Sequence, residues 1–393
     1  MSDNEVRILT TPQGAMNLRN EMSRRGFLML SAGASAAAVL AACGSSKSAT
    51  ATTTKAAGAV GNPAAKSFKL YTWAEYDEPA LMQSFGSITI DIFNSNEEAV
   101  SKLAGAKGTS GYDMVVPTGG YIPQMAKADL LEALDLTRLS NFKNLDPAYR
   151  NQPWDPNNKY SVCKNFGTTG WIYDTQVVKT PVKTWNDFIT ACQTVAKGNC
   201  SVLDTAPNLC GIYFWANGIN WTTEKKEDLD ACEKFIVNDF AKNLKAFDSY
   251  PGINLTKGDY AISQIWNGDA RQGLKKLVEA GKDPKRYVWG LGAPKTEIFM
   301  DNWCILKGAK NLDASYNFID FILDPANSAK DLAFHGYNTG LTGIEKLVGA
   351  DVTYQDMIWV TPEQQKQLES GVVNSAQDRL VDIYNKAKAA AGK

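Results

Sequence analysis

The chain has 393 residues, 44% of them apolar, and its 41 lysines and arginines against 42 acids leave a formal net charge of −1. That length exceeds one small core and suits two lobes plus a leader. The near-zero charge excludes the basic footprint of a nucleic-acid binder and points to a small-molecule partner.

The first element is a leader. Ser23-Arg24-Arg25-Gly26-Phe27-Leu28 sets paired arginines before an apolar run from Phe27 to Leu40, which ends in Leu40-Ala41-Ala42-Cys43. The run is too short to span a bilayer as a helix. Arg24 and Arg25 read as a twin-arginine export signal. The small-residue box resembles lipoprotein signals in which the following cysteine, here Cys43, is acylated and becomes the first mature residue. A cleaved but unlipidated secretory signal is the alternative, and Met1, Met16 and Met22 are alternative starts. Residues 1–42 are thus predicted to be removed, leaving 37 bases and 39 acids. Residues 43–66, rich in Ala, Thr, Ser and Gly, are predicted to form a tether that buries no core. The expected location is the outer face of the cytoplasmic membrane, held through Cys43.

Six cysteines follow: Cys163, Cys192, Cys200, Cys210, Cys232 and Cys304. An even number in an exported chain favours disulfides, with fifteen connectivities open and Cys200–Cys210 close enough to close a small loop. The absence of Cys-x-x-Cys and the single histidine argue against zinc.

The mature fold opens on a strand, Phe68 to Trp73, before a helix that starts at Pro79 and stops at Gly86. Ile88 to Phe93 is a β-branched strand. Ser95 or Asn96 caps a helix with Glu97 and Glu98 in its first turn. A third strand, Tyr112 to Pro117, precedes a helix over Gln124 to Leu131. Strands alternating with single helices predict a mainly parallel sheet with helices on both faces. Asn141 to Lys159 reads as surface loop, and Tyr160 to Ile172 as an extended crossing between lobes. A second α/β set follows: a helix over Trp185 to Lys197, a strand at Ser201 to Leu203, a helix over Glu227 to Leu244, and a strand from Tyr260 to Trp266. Asp269 is placed as the cap of a helix over Ala270 to Glu279. Ile298 to Leu306 is extended, Leu312 to Leu323 is an amphipathic helix, and a further helix ends at Gly336. Pro362 to Lys393 is predicted to be helical and solvent-facing.

Catalysis needs a nucleophile, a base and an orienting group within reach of one another. His335, the only histidine, sits at a helix C-terminus, which accounts for it without catalysis. No Gly-x-Ser-x-Gly or His-Glu-x-x-His occurs in the mature chain, and Ser140 to Lys143 and Ser161 to Lys164 are chance Ser-x-x-Lys matches without partner motifs. What recurs is aromatic side chains at strand ends: Trp73, Tyr76, Tyr121, Trp266 and Phe299, with Tyr337 after a helix. Each alone reads as core; together at strand ends they outline a cleft, where aromatic faces grip alkyl chains and attract cations. Asp301, in a segment between lobes, is placed to hold an ammonium.

Several segments in the same order carry a resemblance over roughly residues 68–388: Tyr71-Thr72-Trp73-Ala74-Glu75-Tyr76, Tyr112-Asp113-Met114-Val115-Val116-Pro117, Asn141-Phe142-Lys143-Asn144-Leu145-Asp146-Pro147, Asp155 to Ser161, Ile265-Trp266-Asn267-Gly268 and Met300-Asp301. The chain resembles the spermidine/putrescine-binding proteins that deliver polyamines to ABC importers. The resemblance implies an α/β clamshell of the periplasmic-binding-protein type II, each lobe a mainly parallel sheet flanked by helices and the two joined by crossing strands. Lobe 1 is expected over 67–168 and 300–343, lobe 2 over 169–299 and 344–393. It further implies a monomer with no cofactor, metal or catalytic residue, whose partners are a small cationic or amine-containing ligand and membrane permease subunits. Trp73, Tyr76, Trp266 and Tyr337 match the family's aromatic pocket, Asp301 an ammonium-binding acid, and Thr118 a pocket serine. The departures are Gly120 for a tyrosine, with Tyr121 adjacent, and Phe299 for a tryptophan. Thr205 and Asn208 fall where the family carries an aspartate and a glutamate, and Asp204 substitutes only if its loop shifts. With one acid secured, the ligand is either a polyamine held by fewer ionic contacts or another amine, such as an amino-acid derivative or an opine. An exported hydrolase would need a base the sequence hardly supplies.

Overall fold

The computed structural model describes residues 7–8, 61–106, 109–350 and 352–393. Arg24, Arg25, Cys43 and the tether up to residue 60 lie outside them. In lobe 1, strand β1 (Ser67–Thr72) lies between β2 (Ser87–Ile92) and β3 (Met114–Val115), parallel to both. The helices that return the chain follow their start signals. Helix α1 (Pro79–Phe85) has Pro79 at its first position and Glu78 as cap, and α2 (Asn96–Gly105) is capped by the Ser95 hydroxyl. Both faces of β1 are covered: Leu70 packs into one apolar cluster with Phe85, Trp303 and Phe318, and Tyr71 into another with Phe93 and Val115. Burial on both sides is why such a strand reads as a nearly continuous apolar run. Helix α3 (Ile122–Lys127) ends sooner than its sequence suggests, because the chain turns through a left-handed Asp129.

Two long strands carry the chain between the lobes. Every residue of β4 (Ser161–Asp174) is buried. Its first half pairs antiparallel with β9 (Thr296–Ile305), and its second half with β7 (Ile262–Trp266) and β8 (Tyr287–Leu291). Strands β5 (Cys200–Leu203) and β6 (Ala246–Asp248) continue lobe 2 in parallel, with α4 (Trp185–Gln193), α5 (Ala206–Ala216), α6 (Lys226–Glu233) and α7 (Pro251–Lys257) between and beyond them. From the two-residue strand Arg7–Ile8 at one edge, the path runs β2-β1-β3-β9-β4-β7-β5-β6, and β10 (Leu368–Ser370) adds parallel to β9.

Helix α8 (Asn267–Glu279) follows β7 directly, and α9 (Leu312–Ile322) and α10 (Pro325–His335) follow β9, the last closed by a left-handed Gly336. Four expectations are corrected. The segment over residues 234–243 leaves α-helical geometry for a π-turn and a 3-10 turn. Residues 362–393 are not one exposed helix: β10 interrupts them, and α11 (Gln377–Ala390) buries Leu380, Ile383 and Ala387 in the lobe 2 core. Asp269 is not a cap, since α8 starts two residues before it. No disulfide is formed among the described residues, where Cys163, Cys192, Cys200, Cys210, Cys232 and Cys304 are buried free thiols. Cys200 lies against Cys192 and Cys232 against Cys210, each sulfur 3.9 Å from its neighbour's carbonyl, so a Cys200–Cys210 loop has no basis. Cys163 and Cys304 face different apolar clusters.

The pairing of β4 with β9 shifts register once. Asp301 faces Asn165 and Asn302 faces Cys163, so Lys164 is an extra residue on β4. Its ammonium, 1% exposed, lies 2.8 Å from Asp77 and 3.2 Å from Asp331. Burial works against the charge, but Asp331 and Asp77 outweigh it and hold the ammonium above its ordinary pKa. The His335 ring stands 3.3 Å from Asp331 and accepts the Tyr337 amide on Nδ1; burial holds it below its usual pKa and neutral. Replacing Lys164 by Met should strand two buried carboxylates and lower stability by about 3–5 kcal/mol in urea denaturation, whereas an isolated surface lysine would change it by less than about 1 kcal/mol.

Candidate ligand-binding site

The cleft lies where strand ends of both lobes meet, and its space, open to solvent, measures about 1040 Å³. From lobe 1 comes the end of β1. The Trp73 indole donates to the Val116 carbonyl at 3.0 Å and packs edge-on against Phe93. Glu75 adopts a left-handed conformation, φ 53°, and the chain turns there so that Tyr76 reaches inward. The Tyr76 hydroxyl donates to Asp301 at 2.5 Å and lies 2.7 Å from the Asn165 side-chain oxygen. Behind it, the Lys164 ammonium stands 4.7 Å from the ring centre. The buried ion cluster therefore supports the aromatic wall from the rear.

Asp301 reaches the cleft from β9. Thr118, bridged to it backbone to backbone, donates its hydroxyl to the second carboxylate oxygen at 2.6 Å. Phe299, two residues earlier on the same strand, meets Tyr337 edge-on at 5.6 Å, and Trp266 stands 6.4 Å away. Glycines make this packing fit. A Cβ on Gly268 would lie 2.4 Å from the Tyr337 ring, and one on Gly167 would lie 2.5 Å from Phe299.

Of the eleven binding residues named from sequence, ten line this one cavity: Trp73, Tyr76, Thr118, Tyr121, Thr205, Asn208, Trp266, Phe299, Asp301 and Tyr337. Asp204 does not. Its carboxylate ion-pairs with Lys388 of α11 at 2.6 Å and accepts the Ser249 hydroxyl at 3.0 Å, so it serves the lobe 2 interior. Thr205 and Asn208 belong to the start of α5, where the Thr205 side chain caps the helix. The sequence showed no helix there because Pro207 and Asn208 resemble a loop, yet a proline in the first turn is compatible with a helix.

The acids are the larger omission. Glu75, Glu97, Asp269 and Glu297 join Asp301 in the lining, and the described lining contains no lysine, arginine or histidine. Asp269, in the first turn of α8, accepts the Tyr337 hydroxyl at 2.5 Å. Burial pushes Asp269 up to about 6 against that hydrogen bond, and pushes Asp301 up to about 6 against those from Thr118 and Tyr76. Burial likewise raises Glu297, which accepts from Asn208 at 2.6 Å and from Thr169 at 2.7 Å. Glu297-x-Phe299-x-Asp301 was a readable signal, since alternate residues of a strand share a face.

The lobes also touch across the cleft. Lys276 ion-pairs with Glu75 at 2.6 Å, Gln377 donates to Glu97 at 3.1 Å, and the Tyr250 hydroxyl donates to Asn94. Comparisons with known proteins then decide the family. The profile of the bacterial extracellular solute-binding proteins matches residues 74–356.

This chain belongs to the bacterial extracellular solute-binding proteins. The spermidine/putrescine-binding periplasmic protein of Escherichia coli is 28% identical over 332 residues, 81% of this chain and 90% of that protein. The putrescine/agmatine-binding protein of Pseudomonas aeruginosa is 27% identical over 317 residues, 76% of this chain and 85% of that one. Among solved structures, the spermidine/putrescine ABC transporter substrate-binding protein PotD of Streptococcus pneumoniae superposes with a TM-score of 0.68 at 24% identity, covering 83% of this chain and 99% of its own. The resemblance read from the sequence motifs and the two-lobed α/β fold stand, and the family is one of binding proteins rather than enzymes.

In a solute-binding protein, contacts of this kind across the cleft resist its opening. Tyr250→Phe removes the hydroxyl that bonds to Asn94. It should speed ligand dissociation about three- to tenfold in stopped-flow measurements, with little change in association rate.

Proposed function

We propose that this solute-binding protein captures a protonated small amine of the polyamine class, putrescine- or spermidine-like, and presents it to ABC permease subunits. The observation that carries the reading is the cleft's charge. Five acids line it without a basic residue, and Asp269, Glu297 and Asp301 have no ionic partner among the described residues. Uncompensated buried carboxylates are costly, and a cationic ligand relieves that cost. The aromatic rings supply faces for the methylene chain and attract the ammonium groups. The names of the Escherichia coli and Pseudomonas aeruginosa relatives support the same ligand class. An opine or amino-acid derivative would set its own carboxylate among these acids with no base to receive it.

The envelope context belongs to the same proposal. The Arg24-Arg25 leader exports the chain and acylated Cys43 anchors it as a monomer; the tether is shorter than 43–66, since Asn62 and Ala65 bond to Asp313 and Asn317. Its lobes divide as 67–168 with 300–343, and 169–299 with 344–393. Cys163, Cys192, Cys200, Cys210, Cys232 and Cys304 serve as packing residues.

Calorimetric titration with putrescine, spermidine and spermine at low salt tests the reading. Binding should be micromolar or tighter, and Asp301→Asn should weaken it about 10- to 100-fold; no heat at millimolar amine would overturn it. The pH dependence has a defined sign. Burial pushes Asp269 and Asp301 up to about 6, and an ammonium pairs only with their ionised forms. Affinity should therefore rise from pH 5 to pH 7.5 and then level off, since alkyl ammonium groups stay protonated to about pH 10. Titration near pH 6 should release protons, read as a dependence of the heat on buffer ionisation enthalpy.

A further inference from the structure

Glu297 is the acid that neither the motifs nor Asp301 accounts for. It stands four residues before Asp301 on β9 with Phe299 between them, and all three side chains line the cleft. Alternate residues of an extended strand leave the same face, and four residues separate Cα atoms by about 13 Å. The strand thus presents acid, aromatic ring and acid in one line.

The two carboxylates serve different lobes. Asp301 is held from lobe 1 by Thr118 and Tyr76. Glu297 is held from lobe 2, where Asn208 at the start of α5 donates at 2.6 Å and Thr169 of β4 at 2.7 Å, both to Oε2. Asn208 from α5 thus aims an acid that belongs to the crossing strand. Glu297 is 9% exposed and forms no ion pair among the described residues. It also lines a smaller cavity of about 660 Å³ behind Gly120 and Tyr121, which places it at the far boundary of the cleft.

We propose that Glu297 is a second ammonium subsite, and that it makes the site selective for amines charged at both ends. One nitrogen pairs with Asp301 and Asp269, the alkyl chain crosses Phe299, and the other nitrogen pairs with Glu297. The inference rests on the amine-binding reading and narrows it. An extended four-carbon diamine with a paired oxygen at each end spans about 12 Å, comparable to the strand spacing. A monoamine leaves Glu297 unpaired, and an amino acid opposes it with a second carboxylate.

The test titrates ligand-stripped protein with putrescine and with n-butylamine at pH 7.5 and low salt. The wild type should bind putrescine at least 100-fold more tightly than butylamine. Glu297→Gln, which keeps the shape and the Thr169 bond, should lose about 10- to 100-fold for putrescine and less than about twofold for butylamine. In the Glu297→Gln background, Asn208→Glu should return much of the lost putrescine affinity by restoring an acid at that end. If Glu297→Gln melts abnormally, Glu297→Asp takes its place, and it should weaken putrescine while leaving butylamine unchanged. Equal losses for both amines, or no loss for either, overturn the second subsite while leaving the amine reading intact. A wild type that binds neither amine overturns the amine reading and the subsite with it.

Discussion

The pairing of β4 with β9, and the extra residue within it, is the constraint on which the rest of this structure depends. These strands are the seam between the lobes, so their register sets both where the lobes meet and which side chains face the cleft. The bulge at Lys164 adds a residue to one strand only. A bulge re-aims side chains locally, and here an ammonium is sealed between Asp77 and Asp331 on one side while Asp301 is free to face the ligand space on the other. Tyr76 lies between the two, against the buried ammonium and bonded to the cleft carboxylate. The charge inside the fold is neutralised, and the cleft carboxylate is left without a base among the described residues.

That division explains the site's electrostatics. Acids that serve the fold are paired: Asp331 with Lys164, Asp204 with Lys388, Asp174 with Arg286. Among the described residues, acids that face the cleft lack a basic partner, with the exception of Glu75, which Lys276 reaches from lobe 2. Such uncompensated negative charge costs stability and persists where function uses it. The contacts across the cleft come from the same surfaces as its lining, through Glu75, Asn94 and Glu97.

Much of this was legible in sequence, and the reasons are local. Pro79 after Glu78, Ser95 before paired glutamates, and Gly336 after His335 are start and stop signals whose chemistry acts within one turn. The aromatic positions were legible because each stands at a strand end or just after a helix. Errors arose where local chemistry permits two outcomes. Asp269 reads equally well as a cap or as a first-turn acid, and only the start of α8 at Asn267 turned it into the cleft. Pro207 reads as a loop residue until Thr205 caps a helix around it. An even cysteine count implies disulfides only if the sulfurs meet as bonded pairs, and Cys163 and Cys304 face opposite cores.

By itself, the sequence determined most of the elements, their alternation, the family and most of the residues at the cleft, because caps, strand alternation and turn residues act over a few positions. The tertiary structure alone decided which acids are neutralised and which remain open. Asp204, Asp269, Glu297 and Asp331 are chemically alike in the chain. Whether each meets a lysine depends on partners far away in sequence, Lys388 for one and Lys164 for another, and on the strand register that brings them together. The carboxylates left without such a partner among the described residues are what the proposed binding of a cation rests on.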